Sequence, residues 1–262
     1  MRKGFGLFQL FARISIMNEM QYRANFFIQL FQSALSLGTG LIVISIVFSY
    51  TDTLNGWNSS ELLAVYGVFY LLGGVMGVAI IPNMWQFMQD VREGTLDYTL
   101  TKPEDAQVLV SVRQFGVWRI VDIVLGAIVL AVAIVRLGTE ASWATAFSFG
   151  ATLLMGIVMV YSVLLMASTL AFWFVRVWEL MEMFQSLFQA GRWPVGMYPD
   201  WLRIGLTYLI PVAFAVTVPA QALTGRLSPE LLAGTLVFTL VMAIVSRRVW
   251  FFGLKHYTGA SA

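Results

Sequence analysis

The 262-residue chain has no cysteine and a single histidine, His256. Disulfides and thiolate metal sites are thereby excluded, and hydrolytic or metal chemistry, which draws on clustered His, Cys and carboxylates, has little to build on. Charge is scarce as well. Only 11% of residues are Asp, Glu, Lys or Arg, against about 25% in soluble domains. A formal net charge of +2 gives no basis for nucleic-acid binding. No GxxxxGK[ST] phosphate loop occurs, so the chain is not expected to cradle nucleotide phosphates itself.

Apolar residues fill the space: 59% of the chain is hydrophobic and the mean hydropathy is +0.78. Several runs approach or exceed the roughly 20 residues that cross a hydrocarbon core of about 30 Å. The composition predicts an all-α, polytopic membrane protein forming a single transmembrane domain over 1–262. Clear spans are expected at about Asn25 to Tyr50, Leu62 to Ile81 (ending near Pro82), Phe115 to Val135, Ala144 to Phe174 and Leu231 to Val245. The loop TDTLNGWNSSE has no Lys or Arg and is assigned outside, whereas Arg247, Arg248 and Lys255 anchor an inner end. Both termini are then cytoplasmic.

Before the first span, Phe5, Phe8, Ile16 and Met20 recur at helical spacing among Arg2, Lys3, Arg13 and Arg23. That pattern suits an amphipathic helix over 1–23 lying in the membrane interface, or a cytoplasmic extension of the first span. Between Val175 and Gly225 two arrangements fit. Either 178–192 crosses and 201–223 dips into the outer leaflet, or 178–200 stays inside and 201–223 crosses. Each gives six crossings. The first leaves Arg136, Arg192, Arg203 and Arg226 outside and the second fewer, so charge slightly favours the second.

Between the second and third spans lies VREGTLDYTLTKPEDAQ, a charged interlude in an apolar chain. Its side is the cytoplasm. Gly94 relaxes the backbone, Pro103 ends the segment, and Leu96, Tyr98 and Leu100 supply apolar handles. A short helix with charged flanks and exposed apolar residues fits a docking surface for a soluble partner, as it also fits a plain solvated connection.

REGTLDYTLTKP resembles the cytoplasmic motif of the ATP-binding cassette type-2 permeases, matched at Arg92, Glu93, Gly94, Thr95, Leu96, Asp97, Leu100, Lys102 and Pro103. YPDWLRIGLTYLIPVAFAVTVPAQALTG is similar to a second motif, found in a branch of permeases encoded as two unlike subunits beside an ATPase. Tyr198, Pro199, Arg203, Pro211, Phe214 and Pro219 carry that match, and Val218 departs from it where the branch often has an aromatic. The resemblance implies the first arrangement: six spans, with a re-entrant helical pair on the outer side within 194–225. It implies that 90–113 is a cytoplasmic coupling region for ATP-binding cassette ATPase subunits, which hold the ATP and magnesium. It further implies a second permease subunit, an unlike one favoured over a second copy of this chain, a bacterial-type plasma membrane, and export of a hydrophobic, lipid-like or amphipathic substrate among membrane lipids.

Charged and small residues within the spans are the remaining candidates. Asp122 follows Arg119 at i, i+3, where the two can pair; an unpaired carboxylate at mid-depth would cost about 2.5–3.5 kcal/mol. Arg176 and Glu179 can pair in the same way, leaving Glu182 to face the bundle interior with Gln185 and Gln189 along the path. Asp122, Glu179, Glu182 and Gln185 are therefore gate or pathway candidates. The same carboxylates define the alternative function, an ion-coupled secondary transporter. Gly73, Gly74 and Gly77 offer a small-xxx-small packing face.

Overall fold

In hydrocarbon a backbone must satisfy its own hydrogen bonds, so long apolar runs become helices. The structure, a computed structural model, describes residues 23–138, 142–174 and 176–257. Among them the only extended pairing is an isolated bridge between Leu54 and Trp57. The helices are α1 (Arg23–Tyr50), α2 (Ser59–Glu93), α3 (Asp97–Leu100), α4 (Ala106–Ser111), α5 (Val117–Leu137) and α6 (Trp143–Phe172). They continue with α7 (Trp178–Phe188), α8 (Asp200–Leu209), α9 (Ala213–Leu223) and α10 (Pro229–Leu254). The interfacial helix expected over 1–23 falls, Arg23 apart, outside the described residues.

Among the described residues five helices are long and apolar enough to cross a membrane: α1 from Asn25, α2, α5, α6 and α10. A sixth is reached if α8 and α9, which meet at a bend of 78°, are taken as one span. The 11 residues of α7, prolonged by a 3-10 turn at Gln189–Arg192, are shorter than a straight crossing needs.

The second span is longer than its sequence implies. It does not end at Pro82 but runs through it to Glu93. A π-helical turn at Met76–Ile80 precedes the proline, which then sits in the first turn of the next α-helical segment, where a missing N–H is tolerated. The Val78 carbonyl, which a residue with an N–H at position 82 would have bonded, accepts the Gly116 N–H at 2.9 Å instead. The 35 residues of α2 extend about 52 Å, so one end stands clear of the hydrocarbon.

Most of the first half of α2 is buried, and its longest seam is with α5. A Cβ on Gly126 would lie 2.5 Å from the Leu71 nitrogen, and one on Gly74 2.6 Å from the Ile123 nitrogen. Backbone touches backbone there, as small residues permit in membrane helices. The seam is thus Gly67, Gly74 and Gly126. Gly73 is not part of it, and Gly77 meets the Arg119 side chain. By contrast α1 and α10 keep broad apolar faces exposed, including Phe27, Phe31 and Ile42 on one and Val237 and Ile244 on the other. Such faces require lipid or another subunit over them.

The two ends of α2 organise the connections. At the first, Asn55 Nδ2 donates to the Gly196 carbonyl at 3.0 Å and Arg226 Nη2 to that of Gly56 at 2.6 Å. At the other, Trp178 stacks on Trp85 with centroids 5.1 Å apart, and the Arg92 guanidinium lies 5.4 Å from its ring. Between 178 and 196 the chain therefore passes from one end of α2 to the other. The residues flanking the α8–α9 pair, Gly196 and Arg226, both sit at the 51–58 end.

Candidate functional site

The 90–113 region is built on the end of α2. Gly94 adopts φ 72, a left-handed conformation that glycine takes without a Cβ penalty, and it terminates the helix. The carbonyl of Asp90, which also takes the Gly94 N–H, accepts the Thr95 N–H at 2.9 Å and the Leu96 N–H at 3.3 Å. The Asp90 side chain, 5% exposed, accepts from Gln86 at 2.8 Å and from Thr95 at 3.4 Å, and forms an ion pair with Arg113. Arg113 also donates to Thr99 Oγ1 at 3.0 Å. One buried pair thus closes the region at its two ends.

Asn83 holds the non-helical lead into α5. Its amide nitrogen donates to the Ala79 and Gln114 carbonyls, each at 2.7 Å, and its oxygen accepts the Arg113 and Gln114 N–H groups at 2.8 and 2.9 Å. Every hydrogen-bonding site on this fully buried side chain is used. Farther along, Asp105 caps α4 and pairs with Arg247 of α10, while Gln107 and Ser111 bond the Tyr161 hydroxyl of α6 at 3.1 and 2.8 Å. Arg247 bonding holds the Asp105 carboxyl below its ordinary value. Burial, and then the charge of Asp97, raise the pKa of the Tyr257 phenol just past α10.

The residues expected to couple do not all lie on one surface. Arg92, Glu93, Leu100, Lys102 and Pro103 are exposed, with Tyr98 at 76%. Thr95 and Asp97 are half-buried. Leu96, expected as an apolar handle, is fully buried; it anchors the segment to the core, and the handles are Tyr98 and Leu100. Asp90, Arg113 and Asn83 were absent from the sequence-based site, since nothing local announces partners 23 to 31 residues apart.

A cavity of about 530 Å³ lies between α1, α2, α5 and α7. It runs along α2 from Phe69 to Trp85, about 24 Å at helical rise. Asp122 and Gln185 line it, as do Gly73 and Gly77. Asp122 is satisfied on both oxygens: Ser33 donates to one, and Arg119 Nη1 lies 3.3 Å from the other. Glu179 and Glu182 are exposed and do not line the cavity. Glu182 does not face the bundle interior, because α7 turns Met181, Phe184 and Phe188 inward, at i, i+3 and i+7. The three carboxylates of an ion-coupled relay are therefore not brought together.

At the 51–58 end, Glu61 completes a capping box with Asn58 and holds Arg226 through two bonds, at 2.8 and 2.7 Å. The Arg226 guanidinium lies 4.8 Å from the Trp57 ring centroid. Of the second motif, Pro199 caps α8, Pro211 lies buried at the bend, Phe214 stacks on Phe238 at 5.0 Å, and Pro219 opens the α-helical part of α9. Tyr198 Oη donates to the Ala190 carbonyl at 2.9 Å, and burial raises its pKa. The segment NSSE could have revealed the Glu61 cap, though not its partner at 226.

Residues 34–261, from within α1 to beyond α10, match the family described as ABC-2 family transporter protein. Comparison with curated proteins and with solved structures finds no match. Membrane subunits of this family are generally non-catalytic and work with ATPase subunits. A helical bundle with five long apolar helices, matched over nearly its whole length, belongs to the ABC-2 transporter family as a permease-type membrane subunit.

Proposed function

We propose that this chain is the membrane half of an ATP-driven exporter of an amphipathic, lipid-like substrate, moved by a separate ATPase that docks on 90–103. The observation that carries the reading is the joint between an exposed face and a rigid frame. Arg92, Glu93, Tyr98, Leu100 and Lys102 are exposed, while Asp90–Arg113 and Asn83 fasten the segment beneath them to α2 and to the lead into α5. A displacement at that face is transmitted as a rigid-body tilt of α2 and α5. The Arg119–Asp122 wall of the cavity lies on α5 and moves with it. Rocking of packed helices between two arrangements is how such a motion opens and closes a path.

In this reading the 90–113 end is cytoplasmic, as are both termini, and loop 51–58 is outside. Because both flanks of α8–α9 meet the 51–58 end, the pair is read as re-entrant and 178–192 as a short fifth crossing. Export and an unlike second subunit rest on the resemblance of REGTLDYTLTKP and the 198–225 motif to that branch of permeases. The exposed faces of α1 and α10 leave room for such a subunit.

The test combines Tyr98→Ala with Leu100→Asp in the full complex, reconstituted with its ATPase. Both side chains are exposed, so the melting temperature of the chain should be unchanged. Substrate-linked ATP hydrolysis should fall by about tenfold or more, as loss of an aromatic anchor does at interfaces. Full coupling in the double variant would remove the docking assignment. Since the chain has no cysteine, Lys102→Cys and Asn55→Cys report orientation cleanly. The first should label only from the cytoplasmic side and the second only from outside.

A further inference from the structure

We infer that the cavity between α1, α2, α5 and α7 is a binding site for an anionic amphiphile, its negative head held by Arg192 and the Tyr70 hydroxyl. The inference deepens the transport reading by naming the charge class of its substrate. Among the described residues three charged ones line the cavity: Arg119, Asp122 and Arg192. Arg119 and Asp122 neutralise each other, and the second Asp122 oxygen is taken by Ser33. Arg192 remains. Its guanidinium lies 5.5 Å from the Phe69 ring centroid, its Nε is buried without a hydrogen-bond partner, and no carboxylate pairs with it among the described residues.

A second polar group in the wall is equally unanswered. Tyr70 is 7% exposed, and its buried hydroxyl has no partner within bonding distance, the nearby Tyr66 hydroxyl donating to the Ser36 carbonyl at 3.3 Å. Buried donors are seldom left unmade, and a half-buried arginine in a cavity wall attracts an anion, so both groups call for an acceptor that the described residues do not provide. A phosphate or carboxylate oxygen answers both at once, and a charged acceptor makes the stronger bond. Gln185 and Gln189 line the same region and can complete the head's coordination.

The rest of the lining selects the tail. Toward the 90–113 end the α2 wall carries Ile81, Pro82 and Trp85, an apolar track beyond the balanced Arg119–Asp122 pair, with Met76 level with that pair and Gln29 and Gln32 contributed by α1. Head and tail therefore have separate places along the cavity. Its volume lies within the usual range for sites holding a compact organic ligand. A single-chain anionic lipid has the required chemistry.

The experiment measures binding to the purified full chain without ATPase or nucleotide, so a failure of coupling and a failure of this site are read separately. The probes are lysophosphatidylglycerol, lysophosphatidylcholine and inorganic phosphate, followed by the shift in melting temperature and by tryptophan fluorescence, to which Trp85 contributes. The anionic lysolipid should bind at least about tenfold more tightly than the zwitterionic one, since a single charge-assisted bond is worth that much. Phosphate alone should compete weakly; competition equal to the lysolipid's would overturn the tail track. Arg192→Gln should lose the preference about tenfold, and Tyr70→Phe, which removes one oxygen, should lose several-fold. Arg192→Lys should retain most of it, separating charge from misfolding. Equal binding of the two lysolipids to the wild-type chain, or an unaltered preference in both Arg192→Gln and Tyr70→Phe, would overturn the site.

Discussion

The two ends of α2 use the same chemistry to different degrees. Each places a carboxylate from the helix against an arginine from a distant non-helical segment. Glu61 takes Arg226 at the 51–58 end and Asp90 takes Arg113 at the other. The arginine is 37% exposed in the first pair and 17% in the second. Glu61 shares its work with the Asn58 cap and with the Trp57 ring beneath Arg226. Asp90 is the common acceptor for Gln86, Thr95 and Arg113, with few substitutes nearby. The deeper pair therefore sits beneath the face proposed to dock the ATPase, which in that reading moves as one piece with the helix. The shallower one sits where a loop has only to be held in place.

The sharpest way to break this comparison is Asp90→Ala. It leaves the Arg113 cation buried without its partner, an arrangement that destabilises by about 3–5 kcal/mol. Chemical or thermal unfolding of the full chain in mild detergent measures it. A loss below about 1 kcal/mol would mean that the region is held by its backbone bonds alone. Next in size is Glu61→Gln. The amide keeps the shape of the capping box and forfeits the charge toward a half-exposed arginine, for an expected loss of about 1–3 kcal/mol. Should Glu61→Gln prove the more damaging, burial would not be what separates the two ends.

The ease of reading the sequence also differs between regions. Long apolar runs declared α1, α5 and α6 within a few residues, because period and length alone decide them, whereas α10 starts where expected but runs nine residues past Val245, to Leu254. Pro82 misled, since the usual expectation is that proline stops a helix. Here the π-turn before it and the Gly116 amide accepted by Val78 remove the reason to stop. Gly73 and Gly77 matched a packing pattern, yet the seam uses Gly67 and Gly74, two turns apart on the same face, because Gly126 of α5 fits between them. Local motif chemistry located the 90–103 segment. It could not tell buried Leu96 from exposed Tyr98, which depends on how Asp90 and Arg113 close the turn. The unanswered Arg192 and Tyr70 were invisible for a related reason: lacking a partner is a property of three-dimensional surroundings.

A third ion pair sharpens the rule that depth sets the contribution. Asp105 and Arg247 join the 90–113 region to α10, with side chains 39% and 37% exposed. Water and salt screen such a pair, so it should contribute no more than about 1 kcal/mol, the least of the three. Its signature is a pH dependence. Arg247 bonding, reinforced by the α4 amides, lowers the Asp105 pKa in the folded chain. A depressed carboxyl stabilises the fold at every pH above its unfolded value, about 3.9, and that contribution is lost as the pH falls through the folded value. Wild type should therefore melt slightly above Asp105→Asn at neutral pH, with the gap closing in acid and narrowing in high salt. A gap that persists unchanged below the folded value would assign the effect to packing, since asparagine also makes the α4 cap, and would remove the charge from the account.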